Sequence, residues 1–166
     1  MTTDELNETR QQLGKALGRL ASGVFVVTVE SSGKRDGMLA TFINQVAFDP
    51  PSIAAAVNKQ RDILQMLAVN AAFTVNVLSS KNMNIFKAFA KPHAGGADNR
   101  FNGFNLQENN GGGPVFADAV SYINCRTIEL IDAGDHTIVL AEVIGGALLN
   151  AEDQPMVHLR NNGFQY

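Results

Sequence analysis

Cysteine is nearly missing: Cys125 stands alone among 166 residues. One thiol cannot form an internal disulfide, so the chain is no cystine-stapled scaffold. It needs no staple either, since a chain of this length buries about 70% of its unfolded surface. No apolar run approaches the roughly 18 residues that a spanning helix requires. A basic excess is also lacking, with 13 Lys and Arg against 16 Asp and Glu and a net charge of −3. Nucleic acid and anionic membranes, which select a basic face, are therefore not expected partners. The phosphate-loop pattern is absent, because Gly33-Lys34-Arg35 lacks the hydroxyl and the glycine spacing. No GxGxxG opens a helix, and Gly111-Gly112-Gly113 runs into Pro114, which argues against a Rossmann cofactor site. His93, His136 and His158 lie in separate segments without HExxH or CxxC, so no metal site is expected. There is no G-x-S-x-G elbow, and Cys125 sits in an apolar strand, where an inert buried thiol is the ordinary reading. The first twenty residues lack the basic and apolar regions of a secretory signal. With the lone thiol, this places the chain in the cytoplasm and leaves the N-E-T sequon at Asn7 idle.

The composition is that of a folded domain, 45% hydrophobic and 17% charged, and its length fits one domain over 1–166. Leu6, Leu13, Leu17 and Leu20 follow a helical period behind a Thr2/Glu5 capping box. They predict a helix over about 4–20, within an N-terminal segment 1–21 packed on the core. β-branched and aromatic runs follow at Val24–Glu30, Met38–Phe48, Ser52–Asn58, Phe73–Leu78, Ala119–Ile131 and Thr137–Leu149. Residues 31–37 read as a turn, and Pro50-Pro51 must separate strands because proline cannot donate to a ladder. Short helices are expected over 62–69 and over Lys81–Ala90, the latter capped by Ser79 or Ser80. Lys91–Pro114, with six glycines, reads as a binding loop or lid. Six antiparallel strands with peripheral helices make a mainly β, α+β Greek-key barrel, closed or nearly so, because closure removes exposed edges.

Polar residues stand out against these apolar runs: Asn44-Gln45, then Asn58 to Asp62, then Gly134-Asp135-His136. A polar group on a buried strand is costly unless satisfied and so often marks a ligand. Taken singly, each is equally an ordinary turn or a solvated helix start. In order along the chain, G-M-L-A-T-F-I-N-Q-V-A-F-D-P-P (Gly37–Pro51), V-N-K-Q-R-D-I (Val57–Ile63), F-T-V-N-V-L, F-A-K, R-F and G-D-H-T-I-V-L-A-E-V (Gly134–Val143) resemble the flavin reductase-like family. The resemblance covers residues 13–166. Within that family the chain looks most like the C-terminal module of cyanobacterial flavodiiron proteins, here without the diiron and flavodoxin parts.

The resemblance implies an FMN-binding split barrel that binds flavin at its surface, usually in a homodimer. It places Leu39, Ala40, Thr41 and Phe42 along the flavin ring and Asn44 close by. Leu39 and Asn44 depart from hydroxyl residues common at those positions. Asn58, Lys59 and Arg61 would approach the phosphate and ribityl chain, as a phosphate dianion wants cations and free amides. Exposed cations near a helix start are the plain alternative. Phe89, Ala90, Arg100 and Phe101 would bound the loop beside the flavin, while Phe86 stays in the core. His136 would stand in the catalytic vicinity, orienting a nicotinamide or placing charge near the reduced flavin; a solvent-facing turn histidine is the alternative. His93 and His158 read as surface or structural. The implied activity is an NAD(P)H-dependent flavin reductase, passing hydride from nicotinamide C4 to flavin N5 and electrons onward to an acceptor, a redox partner protein among them. FAD could replace FMN. A non-catalytic FMN-binding electron relay and a flavin-free interaction barrel are the alternatives.

Overall fold

The computed structural model describes residues 2–91 and 97–165. His93 therefore lies outside the described residues. Helix α1 (Thr3–Leu17) begins at the expected capping box, the Thr2 hydroxyl accepting from the Glu5 N–H and the Glu5 carboxylate from the Thr2 N–H. Seven strands follow: β1 (Phe25–Ser31), β2 (Lys34–Ala40), β3 (Ile43–Phe48), β4 (Pro51–Asn58), β5 (Ala72–Val77), β6 (Ser121–Ala133) and β7 (His136–Leu148). They form one antiparallel sheet in the order β2-β1-β5-β6-β7-β4-β3. Its two edge strands, β2 and β3, are consecutive in the chain and joined only by Thr41 and Phe42. Two residues can span opposite edges only if the sheet curls round, so the result is a barrel split between β2 and β3.

The strand count is seven where six were expected, because the run Met38–Phe48 breaks at Thr41-Phe42 into two strands on opposite edges. The turn expected over 31–37 shrinks to Ser32 and Gly33, whose φ values of 52° and 74° are those of a tight hairpin turn, and Lys34–Gly37 joins β2. Pro51 opens β4 instead of lying between strands, a position where its missing N–H costs no ladder bond.

Inside the barrel the apolar alternation meets as expected. Val27, Val29, Val57, Phe73, Val75 and Val139 are buried in one cluster. A second cluster, around Phe89, Phe101 and Phe116, is closed by helix α2 (Met83–Phe89). Phe89 packs on Phe101 and Phe116 at 5.1 and 5.5 Å between ring centres.

The glycine-rich segment after α2 differs from the expected lid. Its second half is strapped to the barrel: Gly112 and Gly113 lie so close to β5 and β1 that a Cβ at Gly113 would stand 2.3 Å from the Thr28 carbonyl carbon. The strap exists because β1, β5 and β6 carry buried Thr28, Thr74, Asn76 and Asn124, which need partners. Thr28 donates to the Pro114 carbonyl at 2.7 Å, Thr74 to Asn124 at 2.8 Å, Asn109 to the Gly113 carbonyl at 2.8 Å, and Asn76 accepts from the Phe116 N–H at 3.0 Å.

Helix α1 does not bury its leucines in this core. Leu6, Leu13, Leu17 and Leu20 are 40–64% exposed, and the helix instead holds the C-terminal tail through Gly14 and Gly18. The Gly163 N–H donates to Gly14, and the Arg160 N–H to Gly18. No described helix is long and apolar enough to cross a membrane.

Candidate functional site

Where β2 leaves the barrel, residues Met38 to Phe42 form one wall of a cavity of about 330 Å³. Phe86 and Ala90 from the α2 region, Ala56 from β4, Arg61 and His158 complete it. The walls are mostly apolar, and the size suits the flat ring system of a cofactor. One polar atom breaks the pattern. The Thr41 hydroxyl is buried and has no hydrogen-bond partner among the described residues. Such a group costs free energy until something bonds it, and the group it would meet is a ligand in this slot. Arg61 adds a guanidinium suited to a phosphate.

The register of the sheet brings the remaining sequence candidates close by. His136 on β7 pairs with Asn58 on β4, and the Lys59 N–H donates to the Asp135 carbonyl at 3.0 Å, tying the Gly134-Asp135 hairpin tip to the segment before Arg61. Phe42 and His136 stand 5.9 Å apart between ring centres. Asn58, Phe42 and His136 line a second cavity next to the first, with Phe42 as the shared wall. The His136 Nδ1 lies 2.7 Å from the Asp135 carboxylate, and this bond holds the exposed Asp135 below the usual carboxylate range.

Of the sequence candidates, Leu39, Ala40, Thr41, Phe42, Arg61 and Ala90 line the slot. Lys59 does not. Its ammonium is 2.8 Å from Asp132, across the hairpin, and that bond lowers the Asp132 pKa. Asn44 is exposed on β3, paired in register with Ala54. Phe89 is fully buried in the second cluster. Arg100 lies behind the slot in an ion pair with Asp36 at 2.7 Å, also donating to the Gly37 carbonyl. Burial lowers the Arg100 pKa, while the charge and hydrogen bond of Asp36 oppose that shift.

Two lining residues escaped the sequence reading. Phe86 follows the helical spacing of a core residue, yet its ring reaches the slot. His158 belongs to a two-residue strand pairing with Ser22-Gly23, too short for any periodic signal.

A family model described as "Flavin reductase like domain" matches residues 17–165. The chain belongs to this family. It is 34% identical over 163 residues to diflavin flavoprotein A 1 of Synechocystis, covering 98% of this chain and 28% of that protein. The chain thus spans little more than a quarter of the length of such a relative. Among solved structures it is similar to the NADH:FAD oxidoreductase SgcE6 of Streptomyces globisporus in complex with NAD and FAD fragments, with a TM-score of 0.77, 30% identity and coverage of 93% and 88% of the two chains. It is also similar to the flavin reductase PheA2, with a TM-score of 0.70, 26% identity and coverage of 96% and 94%. The resemblance read from the ordered motifs and the split-barrel fold therefore agree with the comparisons.

Proposed function

We propose that the chain is an NAD(P)H-dependent flavin reductase that holds FMN in the slot beside Thr41. The observation that carries the reading is the buried, unpartnered Thr41 hydroxyl on the wall of an apolar slot that Arg61 also lines. Flavin bound there would supply the redox chemistry, taking hydride from nicotinamide C4 at its N5. The chain's residues bind and orient. Thr41 gives the ring a hydrogen bond that fixes its place, and Leu39, Ala40 and Ala56 exclude water from its faces. Arg61 takes the phosphate, and Asn58 Oδ1 keeps the turn before Arg61 in shape by accepting the Gln60 N–H at 2.9 Å. His136, fixed by Asp135, orients the nicotinamide from the neighbouring cavity. FAD would use the same slot for its flavin half.

The protein works in the cytoplasm as a homodimer. In support, the leucine stripe of α1 and Phe48, 90% exposed on edge strand β3, offer apolar surface that a second copy would cover. Purified chain given FMN should stay yellow through gel filtration at dimer mass and oxidise NADH or NADPH above an FMN-only blank. A blank-level rate overturns the reductase reading. A second reading, an FMN-binding electron relay serving a redox partner protein, is favoured by the diflavin relatives, in which the matching region is only part of a longer chain. It predicts retained FMN without nicotinamide turnover.

A further inference from the structure

The cavity beyond Phe42, about 500 Å³, contains charge that the flavin reading leaves unused. Its buried cation is Arg160, only 9% exposed. The guanidinium lies 4.8 Å from the centre of the Phe42 ring, and donates to the carbonyls of Gly163 at 3.2 Å and Leu17 at 3.5 Å. No carboxylate pairs with it among the described residues, whose ion pairs are Lys59–Asp132, Lys81–Asp153, Arg100–Asp36 and His136–Asp135. A buried charge ordinarily carries an opposite one, and a guanidinium has five N–H donors, of which two carbonyls occupy two. A second guanidinium, that of Arg10, lines the same cavity and lies 4.3 Å from the centre of the Phe164 ring. The acid present, Asp135, bonds the His136 ring at 2.7 Å.

We infer that this cavity is a phosphate seat for a nucleotide, with Arg160 and Arg10 as its anion-binding groups. Two ring-stacked forks, one of them desolvated, suit a diphosphate better than a small inorganic anion, because each fork can take a separate phosphate group bidentately. The inference rests on the flavin reading of the adjoining slot, with which it shares Phe42. The shared chemistry is an adenosine diphosphate group, and it has two sources: the hydride-donating pyridine dinucleotide, or the ADP half of FAD extending out of the slot.

Calorimetric titration of the full chain with ADP-ribose, with and without saturating FMN, tests this. Binding to the FMN-loaded protein assigns the seat to the pyridine dinucleotide. Binding only to flavin-free protein, displaced by FAD but not by FMN, assigns it to FAD. In either case Arg10→Gln should weaken ADP-ribose about tenfold or more, and Arg160→Gln still further, with binding also weakening as salt rises. Arg160 bridges the end of α1 and the tail, so Arg160→Lys, which keeps the charge but loses the fork, serves as the milder variant. Arg10 is exposed and safe for the fold. ADP-ribose that binds neither form, or binds Arg10→Gln and Arg160→Lys as it binds the wild type, overturns the inference. Loss of FMN binding with ADP-ribose binding intact would instead defeat the flavin reading.

Discussion

Replacing Thr41 by valine removes a hydroxyl and keeps the shape, and its effect should have opposite signs in the empty and loaded protein. In the chain alone the hydroxyl is buried without a partner. Its desolvation therefore costs about 1–3 kcal/mol that valine does not incur. Taking the low end, Thr41→Val should stabilise the flavin-free protein by about 1 kcal/mol, a rise of about 2–4 °C in melting temperature for a domain of this size. Flavin relieves that same penalty in the wild type and cannot do so in the variant, so FMN affinity should fall by at least about fivefold. Melting curves without FMN and at saturating FMN, with a titration followed by flavin fluorescence quenching, read both halves. Thr41→Ser, which keeps the oxygen, should retain most of the affinity while losing stability through the missing methyl. A valine variant that melts no higher and binds FMN like the wild type would show that the hydroxyl serves no ligand.

Arg61→Gln should weaken FMN about tenfold or more and riboflavin, which lacks the phosphate, much less; Lys59→Gln, whose ammonium is exposed and paired with Asp132, should change FMN binding little, since such pairs contribute about 0–1 kcal/mol. Removing Arg100 with methionine strands Asp36 in a site where the pair's side chains are only 11% and 17% exposed, so urea unfolding should show a loss of about 3–5 kcal/mol, far more than for Lys59→Gln. Burial pushes the Cys125 thiol up to about 12, so the native protein at pH 8 should ignore a thiol reagent that reacts at once on unfolding. Because the folded state keeps this proton longer than the unfolded chain, Cys125 should make stability fall as pH rises above about 9, and Cys125→Ser should flatten that decline.

Much of the barrel was legible because its signal is local. Alternating β-branched residues at Phe25–Ser31 and Ala72–Val77, and the Thr2/Glu5 cap of α1, announce their own structure. The split was not, because Thr41-Phe42 carry no turn residue and the break depends on which edge each strand finds. Long-range pairing also decided the site. Lys59 and Arg61 look alike as neighbouring cations, yet Asp132, 73 positions on, captures the first and leaves the second beside the slot. Phe86 and His158 reach the same slot with no pattern to announce them. The leucines of α1 advertise a buried face without saying whose surface covers it. The role of Lys91–Pro114 was hidden too, since glycine-rich composition looks the same in a lid and in a strap.

That strap restricts what this sequence can become. Gly111, Gly112 and Gly113 each stand where a methyl group would fall within about 2.5 Å of another atom: a side-chain amide of Asn124, the hydroxyl of Thr74, and the main chain at Thr28. The first two neighbours could swivel aside, but peptide planes in the middle of a sheet cannot. In a saturation library the third position should therefore accept no alternative at all, while its two predecessors tolerate alanine in a few survivors, producing a graded blind spot across three adjacent codons in a stretch that composition alone would mark as free to drift.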